Sequence, residues 1–192
     1  MKVLLFLAKG FETMEASVFI DVFGWASTSY NYDVEVVTCG VNETVVSAFG
    51  VPVKVDVLLN DVNTDDYDAF AVPGGFEEFG FYEEEYSREV AELIKEFNSQ
   101  HKMIASVCVG ALALANAGIL TRKRATTYHL NDGQRQKQLE AYGVEVVNEP
   151  VVKTENTITS YCPQTAPEVA FVLLGELIGE DKMLVVKTNM GF

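Results

Sequence analysis

The chain has 192 residues, 48% of them hydrophobic and 22% charged, with a formal net charge of −14 at pH 7. That length and composition fit one domain spanning residues 1–192, able to bury its own core, and exclude a disordered chain. The acidic balance, with no Lys/Arg cluster to offset it, excludes phosphate backbones and anionic lipid as expected partners, so neither nucleic acid nor membrane is anticipated.

Three cysteines, Cys39, Cys108 and Cys162, are odd in number and irregularly spaced, which suggests neither a disulfide framework nor a zinc site. With no signal-like leader and no run of about 18 apolar residues, the expected location is the cytoplasm.

Residues 3–7 form a continuous apolar run, expected of a strand covered on both faces, and Lys9-Gly10 ends it. From 13 to about 30 the apolar positions Met14, Val18, Val22 and Trp25, with Phe19 and Phe23 beside them, recur at helical spacing. Glu12 and Glu15 stand at the start of that helix. Residues 33–38 read as a second strand. Residues 45–57 are β-branched but interrupted by Gly50 and Pro52, which predicts a hairpin or edge ribbon. A polar loop, 60–68, leads to a strand at 69–72 that stops at Pro73-Gly74-Gly75. One amphipathic helix is predicted over 83–100, burying Val90, Leu93, Ile94 and Phe97.

Residues 103–107 predict a strand and 109–117 a helix closed by Gly118, with Cys108 at the corner between them. A strand at 124–128, a polar exposed helix at 132–142 and strand-like segments at 145–147 and 151–153 follow. Residues 157–160 pair with the last of these across Glu155-Asn156, and 166–178 form a closing helix. Strands alternating with helices predict a doubly wound α/β sandwich on a parallel sheet.

In a parallel sheet the carboxyl ends of the strands share one edge. That edge is expected to gather Glu12 and Glu15, Gly74-Gly75, Cys108 and, from the 124–128 strand, His129. A cysteine at a strand-to-helix corner meets free N–H groups and the positive end of a helix dipole, which favour the reactive thiolate. The plain alternative is a small hydrophobe in a buried strand. Gly74 and Gly75 offer backbone N–H groups for an oxyanion hole, or simply make a turn after Pro73. Glu15 beside a thiolate is expected to be protonated, or else merely complements the helix dipole. His129 is a candidate proton shuttle or a surface histidine, while His101 reads as solvated. Cys162 either resolves an oxidised Cys108 or is a passive thiol, and Cys39 reads as core.

The segments Ala8 through Glu15, Val72-Pro73-Gly74-Gly75, Ala105-Ser106-Val107-Cys108-Val109-Gly110 and Ala125-Thr126-Thr127-Tyr128-His129 together resemble the ThiJ/PfpI family over nearly the whole chain. The likeness leans toward its parkinsonism-associated (ThiJ) branch rather than the intracellular protease I branch. The resemblance implies a flavodoxin-like, class I glutamine amidotransferase-like sandwich, usually a homodimer, needing neither cofactor nor metal. It implies Cys108 as nucleophile and oxidisable thiol, Glu15 as the protonated acid bonded to it, and Gly75 and Val109 as N–H donors to a bound anion.

Tyr128 stands where that branch has its histidine, and His129 follows one residue later, which on a strand reverses the face. Val109 stands where the protease branch has a histidine, and no basic residue follows Ser47. The expected function is a cysteine-dependent enzyme of small reactive carbonyls, of glyoxalase III or deglycase type. The alternatives are a redox-sensing, chaperone-like protein whose cysteine becomes a sulfinate, and an amide hydrolase or peptidase.

Overall fold

Val3, Leu4, Leu5 and Phe6 are all closed to water, as a continuous apolar run requires of a strand covered on both faces. The computed structural model describes residues 1–192. The chain opens β-α-β with β1 (Lys2–Phe6), α1 (Thr13–Tyr30) and β2 (Glu35–Gly40). β3 (Thr44–Val46) and β4 (Pro52–Lys54) then pair as an antiparallel ribbon outside the main sheet, as Gly50 and Pro52 led one to expect.

β5 (Val57–Leu58), β6 (Ala69–Val72), α2 (Phe81–Glu85), α3 (Arg88–Ser99), β7 (Met103–Ser106) and α4 (Ala111–Asn116) carry the chain across the sheet. β8 (Arg124–Ala125), α5 (Gln134–Ala141), β9 (Glu145–Val146), β10 (Val151–Thr154), β11 (Thr157–Ser160), α6 (Ala166–Ile178) and α7 (Glu180–Asn189) complete it.

The central sheet runs β10-β11-β7-β6-β1-β2-β5, parallel throughout except for antiparallel β10. It is therefore mixed at one edge, because β10 and β11 are joined by the tight turn at Glu155-Asn156 rather than by a crossover. Right-handed crossovers send the chain from β1 through α1 to β2 in one direction and from β6 through α3 to β7 in the other, which puts α1 and α3 on opposite faces. α1 packs with α6 and α7, and α3 with α4, giving the flavodoxin-like layered α/β architecture.

Four expectations need correction. The helix expected over 83–100 is two: α2 ends at Glu85, and Ser87 starts α3 afresh by accepting the Val90 N–H at 3.3 Å through its hydroxyl. The strand expected over 124–128 stops at Ala125 and pairs with β9 in a side ribbon, not in the main sheet. Beyond it the Thr126 N–H donates to the Thr159 hydroxyl (3.0 Å), and the Thr127 hydroxyl donates to the Cys108 carbonyl (2.7 Å); side-chain bonds replace a ladder.

α7, which carries no apolar stripe, follows α6 across Gly179 at φ 95° and was not foreseen. On α1 the buried side is Glu15, Ala16, Phe19, Val22, Phe23 and Ala26, while Met14 and Trp25 face outward. The sequence signal failed there because the helix is apolar almost all round.

Candidate active site

β7, β6 and β1 are neighbours in the sheet, so their carboxyl ends deliver Cys108, Gly74-Gly75 and Glu12-Glu15 side by side. The three loops are tied by backbone bonds. The Glu12 N–H donates to the Gly74 carbonyl (2.8 Å), Phe76 N–H to Gly10 (3.1 Å) and Val107 N–H to Val72 (3.1 Å).

Cys108 follows β7 with φ +56°, a left-handed conformation that a non-glycine residue adopts only against steric resistance. The reversal starts a short 3₁₀ turn, Cys108–Gly110, that runs into α4. A Cβ at Gly110 would stand 2.8 Å from the Val72 carbonyl, so this glycine lets the turn lie against the end of β6.

Glu15 is wholly buried, and its Oε2 accepts the Gly74 N–H at 2.6 Å. Its Oε1 has no hydrogen-bond partner. Glu12 caps α1 by accepting the Glu15 N–H at 2.8 Å, which fixes where Glu15 starts from the backbone. Burial pushes the Glu15 carboxyl up to about 8, against the Gly74 N–H and with help from the nearby Glu12 charge. At neutral pH Glu15 therefore keeps its proton. Since Oε2 already accepts, Oε1 is the oxygen free to hold it.

A Cβ on Gly74 would stand 2.7 Å from Glu15 Oε2 and 2.9 Å from Cys108 Cβ, so the carboxyl and the cysteine flank the same point. Thiol and acid are near enough to shift each other's ionisation. Burial, before any other cause, pushes the Cys108 thiol above its ordinary value, and the Glu15 charge adds to this. The Val109 N–H opposes it by donating to the sulfur. The helix end thus favours a thiolate less than the sequence suggested, because Cys108 is only 8% exposed. A protonated Glu15 removes the repelling charge and supplies a second donor.

Cys108, Glu15, Gly75 and Val109 border one cavity of about 330 Å³. The Gly75 N–H donates to no protein group, whereas the Gly74 N–H is taken by Glu15. Of the two glycines, then, only Gly75 keeps a backbone donor for a ligand. A Cβ at Gly75 would lie 2.2 Å from Phe81 Cδ2 and 2.6 Å from the Gly10 carbonyl oxygen. Gly75→Ala is expected to cost about 3 kcal/mol in urea unfolding, since the backbone carbonyl cannot retreat; an unchanged midpoint would contradict this packing.

The structure does not bring His129 to the thiol. Tyr128 borders the Cys108 cavity, and His129 faces a second cavity beside Asp132, Gln136 and Asn148, its ring 3.9 Å from that of Tyr161. His101 is exposed and Cys39 fully buried. Arg135 was not singled out from the sequence, where α5 read as an exposed polar helix. Its side chain is 19% exposed and borders the Cys108 cavity, bonded to Glu77 (2.9 Å) and Gln138 (2.9 Å) and stacked 5.1 Å from the Tyr82 ring. No motif marks it, because its place depends on how α5 docks.

A family model described as the DJ-1/PfpI family matches residues 1–176. The chain is 31% identical to Protein dj-1beta of Drosophila melanogaster over 189 residues, 97% of this chain and 95% of that one. The crystal structure of Drosophila melanogaster DJ-1beta superposes with a TM-score of 0.86 at 30% identity, covering 98% of this chain and 96% of the other. Deglycase PfpI of Pyrococcus furiosus is 31% identical over 114 residues, 59% of this chain and 64% of that protein. The matched stretch thus spans just under two thirds of the Pyrococcus protein's length.

Proposed function

The chain belongs to the DJ-1/PfpI family, and from that premise we propose that it is a cysteine-dependent enzyme acting on small reactive carbonyls. Relatives named deglycase support a protective, deglycase-type activity. The finer reading is a cofactor-independent conversion of an α-oxoaldehyde such as methylglyoxal to its hydroxy acid. The observation behind it is the shared cavity of Cys108, Glu15 and the unpartnered Gly75 N–H.

In this reading the Cys108 sulfur adds to the aldehyde carbon and forms a hemithioacetal. The oxygen that gains charge is met by the Gly75 and Val109 N–H groups. Glu15 gives and takes the protons that move between the two carbons, as its position near neutrality suits it to do, which turns the hemithioacetal into a Cys108 thioester. Water then adds to the thioester carbon and the C–S bond breaks, releasing the hydroxy acid and returning the thiol. Arg135 and Tyr128 border the same cavity and face the substrate's far end. Incubating the purified protein with methylglyoxal should yield lactate; none above the buffer rate would overturn the reading.

The same donors favour a second reading, in which a Cys108 sulfinate is held by Gly75 and Val109 without rapid turnover. A peptidase reading has no support here, since no imidazole borders the cavity. A homodimer belongs to the proposal: Met14 and Trp25, three helical turns apart on α1, are 51% and 42% exposed and on one face. So does a cytoplasmic location, and no helix is long and apolar enough to cross a membrane.

A further inference from the structure

We propose that the Cys108 cavity selects its carbonyl substrates by charge, admitting neutral and positively charged compounds and turning away those that carry a carboxylate or phosphate. The inference rests on the reading of Cys108 as the nucleophile of a carbonyl-converting site, and it names the substrate class of that site. Three carboxylates, Glu12, Glu77 and Glu78, border the cavity beside the protonated Glu15, and Arg135 is the one cation on its wall.

Arg135 is not free to receive a substrate anion. One guanidinium nitrogen is held by Glu77 (2.9 Å), another by Gln138 (2.9 Å), and the group sits over the Tyr82 ring. Glu77 cancels its charge, which leaves Glu12 and Glu78 with no basic partner. Glu12 is 8% exposed, so water and salt screen its charge poorly. Glu78 stands exposed in the short 3₁₀ turn Glu77–Phe79.

The loop between β3 and β4 brings a ring to the rim rather than a charge. Ser47 is followed there by Ala48, which is buried, and Phe49, which is exposed. The Phe49 ring meets Phe76 with 5.5 Å between centroids, and Phe76 borders the cavity. Aromatic faces attract cations and not anions. The groups that point to a ligand lie deeper: the unpartnered Oε1 of the wholly buried Glu15, and the free Gly75 N–H. They meet the oxygen of the reacting carbonyl, whereas a permanent charge at the substrate's far end meets the acidic rim. One cavity can therefore stabilise a developing oxyanion and still repel a carboxylate tail.

The test labels the full chain with two methanethiosulfonates of similar size, one bearing trimethylammonium and one bearing sulfonate, with neutral methyl methanethiosulfonate as control. Rates are read on the Cys108 peptide, so that Cys162, partly open to solvent, does not enter. Each is divided by the reagent's rate with 2-mercaptoethanol. The probes differ by two unit charges, so at about 0.01 M salt the corrected cation rate should exceed the anion rate roughly tenfold, and the gap should close at about 1 M. Glu78→Lys, at an exposed position, should bring that ratio down to about two or lower, with Glu78→Gln in between. In turnover, 4-carboxyphenylglyoxal should show a kcat/KM at least about fivefold below that of uncharged phenylglyoxal. A corrected ratio near one in wild type, a ratio unmoved by Glu78→Lys, or equal kcat/KM for the two glyoxals would overturn the charge selection while leaving Cys108 reactive. A Cys108 that none of the three reagents labels would overturn both the selection and the reading beneath it. The expected ratio without turnover of either glyoxal would overturn the enzyme reading alone and leave the cavity's preference standing.

Discussion

Cys108→Ser is expected to lower kcat/KM for methylglyoxal by at least about a thousandfold, the scale on which enzymes lose rate when a covalent nucleophile is removed. The substitution is close to isosteric, and serine inherits the same left-handed backbone at φ +56°, so the strain at the corner is unchanged. The hydroxyl can still accept from the Val109 N–H that now meets the sulfur. Stability should therefore move little, with a Tm within about 5 °C of wild type. What changes is the chemistry. A serine hydroxyl is a far weaker acid than a thiol, and Glu15, protonated at neutral pH, is no base for it. A lactate assay on both proteins, with melting curves alongside, separates the cases. Equal activity would remove the covalent mechanism, and a collapse in Tm would mean that the loss was structural.

The layered α/β fold was legible because it is written in local patterns: the unbroken apolar run of β1, the buried positions of α3 and the glycine punctuation after β6 and α4. Three of the strand ends that meet at the cavity were legible for the same reason, since parallel strands share an edge. The fourth was not. Residues 126–129 look like a strand in sequence, yet two buried threonines bond to β11 and to the Cys108 carbonyl instead of entering a ladder. The consequence is that Tyr128 borders the cavity of the thiol and His129 does not. Arg135 was hidden for a different reason. Its helix is polar on nearly every side, so only tertiary docking shows which polar residue turns inward. Even the ionisation of Cys108 depends on burial, which no motif reports.

Glu15→Gln should abolish the pH dependence that the buried acid imposes on stability. The folded-state value, about 8, lies above the ordinary 4.5, so the folded chain binds the Glu15 proton more tightly than the unfolded chain does. Between those two values the native state holds more protons, and stability falls as pH rises. The contribution is fully present below the unfolded value and lost as pH passes through the folded one, amounting to as much as about 5 kcal/mol across the window. Glutamine keeps an oxygen to accept the Gly74 N–H and an amide N–H to place where the acid holds its proton, but it does not titrate. The two proteins should thus unfold at similar urea concentrations at pH 5, with the variant pulling ahead progressively toward pH 9. Glu85, also buried and pushed up, is common to both, so its titration cancels in the difference. Thiol reactivity supplies the second arm. Above pH 8 the ionised Glu15 of wild type opposes the Cys108 thiolate, so its alkylation rate by iodoacetamide should flatten there, while that of the variant keeps climbing. Parallel stability curves would place the titrating acid elsewhere, and parallel alkylation curves would uncouple residue 15 from the sulfur.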